Sequence, residues 1–293
     1  MSKILITGAT GFIGSKVLHC LIKEYGTDSI VALASSEIKG IKTLPHNDYN
    51  FDSDYLVDEN IDTIIHIGAF TPKNSSQIND IEKSFSNISN TKKLLSLNLP
   101  NLKRIIFTST LDVYKNAEII TEKSSVEPIS LYGYSKLYCE KMIEHFCKNK
   151  NILCQILRIG HVFGEGEEKY QKIIPITIQK IISNQQVEIW GDGKALRTFI
   201  YIEDVAKAIA NAVKLEKSNL INIVGEETIS VKNLVEKLIK ISGKNIEIIY
   251  KNTDTPNRNL IFDNSKLKKL LLTKLVSLEE GLKREYLYVE SKK

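Results

Sequence analysis

Cysteine is scarce: Cys20, Cys139, Cys147 and Cys154 are the four in 293 residues, and no two form a CxxC pair. Neither a disulfide framework nor a zinc ribbon is expected, and free thiols in a reducing compartment are. Six prolines and 15 glycines exclude collagen-like and low-complexity classes. No run approaches the roughly 18 apolar residues that a membrane span requires. Met1-Ser2-Lys3 opens without an apolar signal core, so the expectation is a soluble cytoplasmic protein with no membrane partner. Charge of one sign is also missing. Forty basic residues face 35 acidic ones, for a net charge of +5. The densest basic stretch, Lys266 to Lys274, reads as one face of a helix rather than a nucleic-acid patch, and no nucleic-acid partner is expected. No metal site is expected either. What remains is an ordinary globular composition, 42% hydrophobic and 26% charged, long enough for one large or two modest domains.

Short apolar runs alternate with helical patterns through the first half. Lys3–Thr7, Ser29–Ala34, Thr63–Ile67, Arg104–Thr108 and Leu153–Arg158 read as strands covered on both faces. Phe12–Tyr25, a region from Gln77 to Leu97, and Leu131–Lys148 read as helices between them. This order predicts an α/β fold with a doubly wound parallel sheet. After Gly160 the elements become smaller: a helix over Ile173–Ser183, a strand ending at Trp190, a turn at Gly191-Asp192-Gly193 and a strand over Thr198–Ile202. The division expected is residues 1–160 as a dinucleotide-binding domain, with later segments returning to its sheet, and 161–293 as a smaller α/β substrate lobe.

Thr7-Gly8-Ala9-Thr10-Gly11-Phe12-Ile13-Gly14 follows the first strand and opens the first helix. Gly8 permits the tight turn, Gly11 lets a pyrophosphate approach the backbone, and Gly14 lets the helix pack closely on the strand. The helix N-terminus offers free amides and a partial positive charge to the anion. Tyr132 and Lys136, four apart at the start of a helix, share one face. A lysine ammonium beside a phenol favours the phenolate, and lowering a phenol by three units requires about 4 kcal/mol of differential stabilisation. The same spacing recurs at Tyr288 and Lys292 in the charged tail, where it reads as accident.

The GxxGxxG form of the turn resembles the short-chain dehydrogenase/reductase superfamily in its extended branch, and the likeness spans most of the chain. It implies a Rossmann-type fold, with Gly8, Gly11, Phe12, Ile13 and Gly14 at the cofactor. Ser109-Thr110-Leu111-Asp112-Val113-Tyr114 resembles the family segment in which a Ser or Thr four residues before a Tyr completes a triad. By that resemblance Thr110, Tyr132 and Lys136 are catalytic, with Tyr132 and Lys136 also touching cofactor and Thr110 the substrate. Gly68 and Ala69 end the strand that passes beneath the nicotinamide side. Asn87 resembles a residue that fixes the central helix, and it is read as structural, as is His66. Where a ribose-binding carboxylate is usual, about 20 residues beyond the turn, the chain has Ser35 and Ser36, with Glu37 following and Lys39 near. That leaves room for a 2′-phosphate and favours NADP over NAD. Asp52 resembles the family's adenine-contacting Asp, with a helix cap as the alternative.

The segment from Trp190 to Ala206 looks like one shared by nucleotide-sugar epimerases, dehydratases and reductases. It implies that Arg197 grips a substrate diphosphate, with Arg258 as a second such residue. Asp204 reads as a helix cap. The dehydratases carry adjacent Asp and Glu where this chain has Leu111 and Asp112, so half of that pair is missing. The expected function is reduction of a 4-keto-6-deoxy nucleotide sugar with Tyr132 as proton donor. The alternative is a nucleotide-sugar 4-epimerase with tightly bound NAD, and beyond it a 4,6-dehydratase or a non-catalytic dinucleotide sensor. A homodimer paired through Leu131–Lys148, and a place in surface-polysaccharide precursor synthesis, are implied by the same resemblance.

Overall fold

The computed structural model describes residues 2–46, 49–51, 56, 59–253 and 259–292. The first half runs Lys3–Thr7 (β1), Phe12–Tyr25 (α1), Ile30–Ala34 (β2), Lys42–Pro45 (β3), Ile61–His66 (β4), Ile81–Leu95 (α2), Arg104–Thr110 (β5), Leu131–Lys150 (α3) and Leu153–Ile159 (β6). The second half runs His161–Phe163 (β7), Ile173–Ile182 (α4), Val187–Trp190 (β8), Leu196–Tyr201 (β9), Ile202–Asn211 (α5), Asn219–Ile223 (β10), Thr228–Ser230 (β11), Val231–Ser242 (α6), Ile248–Lys251 (β12), Ser265–Leu270 (α7) and Leu278–Glu290 (α8).

Seven strands form one sheet in the order β10-β6-β5-β4-β1-β2-β3, and every adjacent pair is parallel. Parallel strands need helices on both faces, which is why β2 (Ile-Val-Ala-Leu-Ala) is buried at every position. From β1 the chain moves outward to β2 and β3, then returns across β1 to β4. The connections leaving the carboxyl ends of β1 and β4 therefore part, and they open the crevice where ligands of such sheets bind.

In the second half, β9 lies between β11 and β7, and β12 pairs in parallel with β8. Asn219–Ile223 returns to the large sheet beside β6, and α5 packs on α1. No helix among the described residues is long and apolar enough to cross a membrane.

Three local expectations need correction. The helix expected from Gln77 begins at Ile81, because the Asp80 carboxylate accepts from the Lys83 amide at 3.0 Å and caps it there. Lys266–Lys274 is not one helical face. The helix ends at Leu270, where the Leu271 carbonyl accepts from Asn211 Nδ2 at 2.9 Å in place of a helical amide. Asp204 does not cap its own helix, whose cap is Tyr201. Buried within α5, it accepts from the Val276 amide at 2.7 Å and pins the approach to α8.

Candidate active site

The turn after β1 is built by backbone contact. Gly8 has φ 71, and a Cβ there would stand 2.6 Å from the Gly68 backbone. A Cβ on Gly14 would stand 1.9 Å from the Gly8 carbonyl oxygen, so α1 starts directly against the turn. Gly11 caps α1 without any side-chain hydrogen bond, and the first turn holds no acidic residue. Its amides are left facing a cavity of about 530 Å³. A pyrophosphate fits such a cradle.

The same cavity is lined by Gly8, Gly11, Phe12, Ile13, Gly14, Gly68 and Ala69 at one end, and by Thr110, Tyr132 and Lys136 further along. Thr110 ends β5, and its Oγ1 lies 3.2 Å from Asp112 Oδ2. Tyr132 and Lys136 are fixed by the start of α3, where Ser130 Oγ accepts from the Gly133 amide at 3.1 Å. Asn87 joins α2 to this frame: its Oδ1 accepts from the Phe70 amide at 2.7 Å and its Nδ2 donates to Ser135 Oγ at 3.2 Å. The reading of Asn87 as structural matches this arrangement.

His66 is likewise buried framework. Thr7 Oγ1 accepts from the Gly68 and Ile67 amides at 2.9 and 3.2 Å, filling both lone pairs, and lies 2.9 Å from His66 Nδ1. The hydroxyl proton must therefore go to Nδ1, which assigns the neutral tautomer protonated at Nε2, facing Thr91 Oγ1 at 3.0 Å. Burial, then the Lys136 ammonium, holds this imidazole down to about 3.

Tyr132 and Lys136 sit in an environment that opposes charge. Lys136 is 3% exposed and lies 4.2 Å from the centre of the Phe107 ring. Burial lowers its ammonium to about 8, against a smaller opposing pull from Cys139 and Glu140. The Tyr132 phenol is raised, first by burial and then by the Asp112 carboxylate, while hydrogen bonds with Thr71 and Thr110 pull the other way. The sequence suggested a phenol lowered by its lysine. Burial and Asp112 act in the opposite direction on the protein alone, so positive charge beside Tyr132 has to offset them before the phenol can accept a proton.

Not every expected residue reaches the cavity. Ser35 and Ser36 are exposed just beyond β2 and lie outside its lining, as does Arg197. Arg197 donates to the Leu196 carbonyl at 2.8 Å and acts electrostatically on His161. Asp52 and Arg258 lie outside the described residues. Conversely, Thr71, His161, Tyr170 and Lys172 line the cavity without having been singled out. His161 Nδ1 is buried without a hydrogen-bond partner, and the His161 imidazole is pushed below its ordinary value by burial, with Arg197 and Lys172 reinforcing and Asp112 opposing. Its place directly after Gly160, where β6 leaves the sheet, was the available signal.

Residues 4–224 match the model of the NAD dependent epimerase/dehydratase family. The chain is 31% identical to the uncharacterized UDP-glucose epimerase YtcB of Bacillus subtilis, over 99% of this chain and 98% of that one. Its structure superposes on that of UDP-glucose 4-epimerase from Thermotoga maritima with a TM-score of 0.85 at 26% identity, covering 100% of this chain and 99% of the other. For UDP-glucuronic acid 4-epimerase from Bacillus cereus in complex with NAD, the TM-score is 0.84 at 27% identity, with 100% and 99% covered. With three quarters of its length inside the family match and a full-length relative at that identity, the chain belongs to the NAD-dependent epimerase/dehydratase family of enzymes.

Proposed function

We propose that the protein is a nucleotide-sugar 4-epimerase that retains NAD. The observation that carries this reading is the lining of a single cavity by the Gly8–Gly14 turn and by Thr110, Tyr132 and Lys136. Full-length relatives named as 4-epimerases support it. The glycine turn and the amides of α1 would hold the pyrophosphate of the dinucleotide, with Gly68 and Ala69 beneath the nicotinamide side. Bound there, the dinucleotide supplies a hydride acceptor and donor. Tyr132 takes the proton from the sugar 4-hydroxyl and returns it, Thr110 holds the same oxygen by hydrogen bond, and Lys136 supplies positive charge beside them. His161 and Lys172 line the same cavity and would meet the substrate there, and Arg197, once turned from the Leu196 carbonyl, would reach its diphosphate.

Reduction of a 4-keto sugar nucleotide with NADP is the second reading. It is favoured by one feature: Ser35 and Ser36 leave the tip of β2 without a carboxylate. Denaturing the purified protein and identifying the released dinucleotide by mass spectrometry separates the two. Stoichiometric NAD, with conversion of UDP-glucose to UDP-galactose or of a related 4-epimeric pair, is the expected result. An empty site with consumption of NADPH against 4-keto nucleotide sugars would replace the epimerase by the reductase.

The same reading includes a homodimer. Ile81 and Phe85 on α2, and Tyr134 and Tyr138 on the adjacent α3, are more than half exposed. These apolar side chains suit a second copy of the same helix pair.

A further inference from the structure

One wall of the cavity is the segment from Gly164 to Lys172, which contributes Tyr170, Gln171 and Lys172 to the lining. Three carboxyl groups meet behind it: Glu165 and Glu167 from the segment itself, and Glu285 from α8. Glu167 and Glu285 are each 1% exposed. Glu167 Oε1 pairs with Lys172 Nζ at 3.0 Å, and Glu165 Oε1 accepts from the Tyr201 hydroxyl at 2.5 Å. The second oxygen of each, and both oxygens of Glu285, are buried without a hydrogen-bond partner.

The remaining charged and titratable neighbours are already engaged. Arg284 on α8 pairs with Glu280 at 2.8 Å and lies 5.7 Å from the centre of the Tyr201 ring. Lys292 is held by Glu168 at 2.6 Å. Among the described residues, Lys172 is the cation that touches this buried set, and a single ammonium does not compensate three buried carboxylates. A proton must stay, and Glu285, which faces the Gly164 amide but no cation, is where it stays while Glu167 has the Lys172 ammonium.

We propose that Glu167 and Glu285 are positioning residues: Glu285, held as a neutral acid, leaves Glu167 free to pair with Lys172, and the pair fixes Lys172 and the Gly164–Lys172 wall against the cavity. The step from wall to substrate rests on the proposed function, in which Lys172 meets the nucleotide sugar. Burial first, then the Glu167 and Glu165 charges, push the Glu285 carboxyl from 4.5 to about 9 against the Gly164 amide, while burial pushes Glu167 only to about 7 because Lys172 opposes it. Lifting the wall would return Glu285 to water and to its ordinary value. The closed wall therefore binds a proton that the opened wall releases, and opening becomes easier as pH rises from about 4.5 to about 9, then levels off.

Amide hydrogen exchange of residues 164–172 in the whole protein, corrected for the intrinsic rate, reads this directly. Between about pH 7.5 and about pH 9, above the range in which Glu167 titrates, protection in the wild type should fall about tenfold or more, while Glu285→Gln, a neutral isostere of the protonated acid, should change by less than about twofold. A flat wild-type profile, or the same slope in Glu285→Gln, overturns the proposal. Glu167→Gln should raise KM for the nucleotide sugar about tenfold with kcat within about twofold, since it frees Lys172 without touching the reacting atoms. An unchanged KM overturns the link to Lys172. If no nucleotide sugar is turned over at all, the proposed function fails, and the exchange slope still decides the carboxyl pair.

Discussion

At the scale of single residues, burial works against charge on the Tyr132 and Lys136 side chains that line the cavity. A phenol kept protonated by burial and by Asp112 is ready to donate; to accept a proton it needs positive charge nearby. Lys136 provides that charge while its own proton stays on, below about pH 8. Because the ammonium is the form present below that value and is lost as pH rises through it, kcat/KM of the free enzyme should fall above about pH 8. Lys136→Met should be slow throughout and should lack that limb. Tyr132→Phe should lower kcat by about 10²–10⁴, the range of a lost general acid–base, with dinucleotide still bound. Steady-state kinetics across pH, with the dinucleotide content assayed in parallel, checks both. A Tyr132→Phe enzyme within about tenfold of wild type would remove Tyr132 from the chemistry. Tyr132, Lys136 and Thr110 could be singled out in the sequence through the family resemblance of the segments that carry them, the helix spacing of Tyr132 and Lys136 adding only that the two share a face. The contribution of Asp112 to the phenol was not. It depends on a 3₁₀ turn after β5 that brings the carboxylate back to Thr110, at 3.2 Å.

At the scale of elements, α3 is more than a carrier for two side chains. One turn beyond Lys136, Glu140 is fully buried and takes both Nε and Nη2 of Arg158 on β6, at 2.9 and 2.7 Å. The guanidinium also lies 4.5 Å from the centre of the Tyr114 ring, and the Tyr114 hydroxyl donates to Asn222 Oδ1 at 2.7 Å. Arg158→Met strands a buried carboxylate and should cost about 3–5 kcal/mol in urea unfolding, while the double variant Glu140→Leu/Arg158→Met should recover much of it. A single-variant loss below about 1 kcal/mol would mean that water reaches Glu140. The elements most legible in the sequence were those with a sharp physical boundary. Lys3–Thr7 and Phe12–Tyr25 match the structure residue for residue, since a glycine turn separates an apolar run from a 3.6-residue pattern. His161–Phe163 was not legible as a strand. It spans three residues and lies one residue beyond β6, so no periodicity marks it. The wall at Tyr170–Lys172 was hidden for another reason: it reaches the cavity through a loop held by side chains from α8 and β9, contacts distant in sequence.

At the scale of the whole molecule, Ile81, Phe85, Tyr134 and Tyr138 leave apolar surface exposed on the paired helices α2 and α3. Phe85→Glu combined with Tyr138→Glu should convert a dimer to a monomer by light scattering, with the fold retained by circular dichroism. A wild-type protein that is already monomeric at micromolar concentration would sink the dimer. Because α3 also carries Tyr132 and Lys136, the monomeric variant should lose part of its kcat rather than only its partner. The seven-stranded sheet has a further consequence for how such a chain comes into being. β6 is flanked on one side by β5, but its other neighbour, Asn219–Ile223, arrives some sixty residues later. During synthesis, Leu153–Ile159 therefore leaves the ribosome as a raw, apolar border with its ladder of amides and carbonyls open to any passing strand. A fragment cut at Gly160 to isolate the nucleotide-binding half would inherit the same open border, and its fate would be decided by chaperones or by its own copies rather than by the dinucleotide.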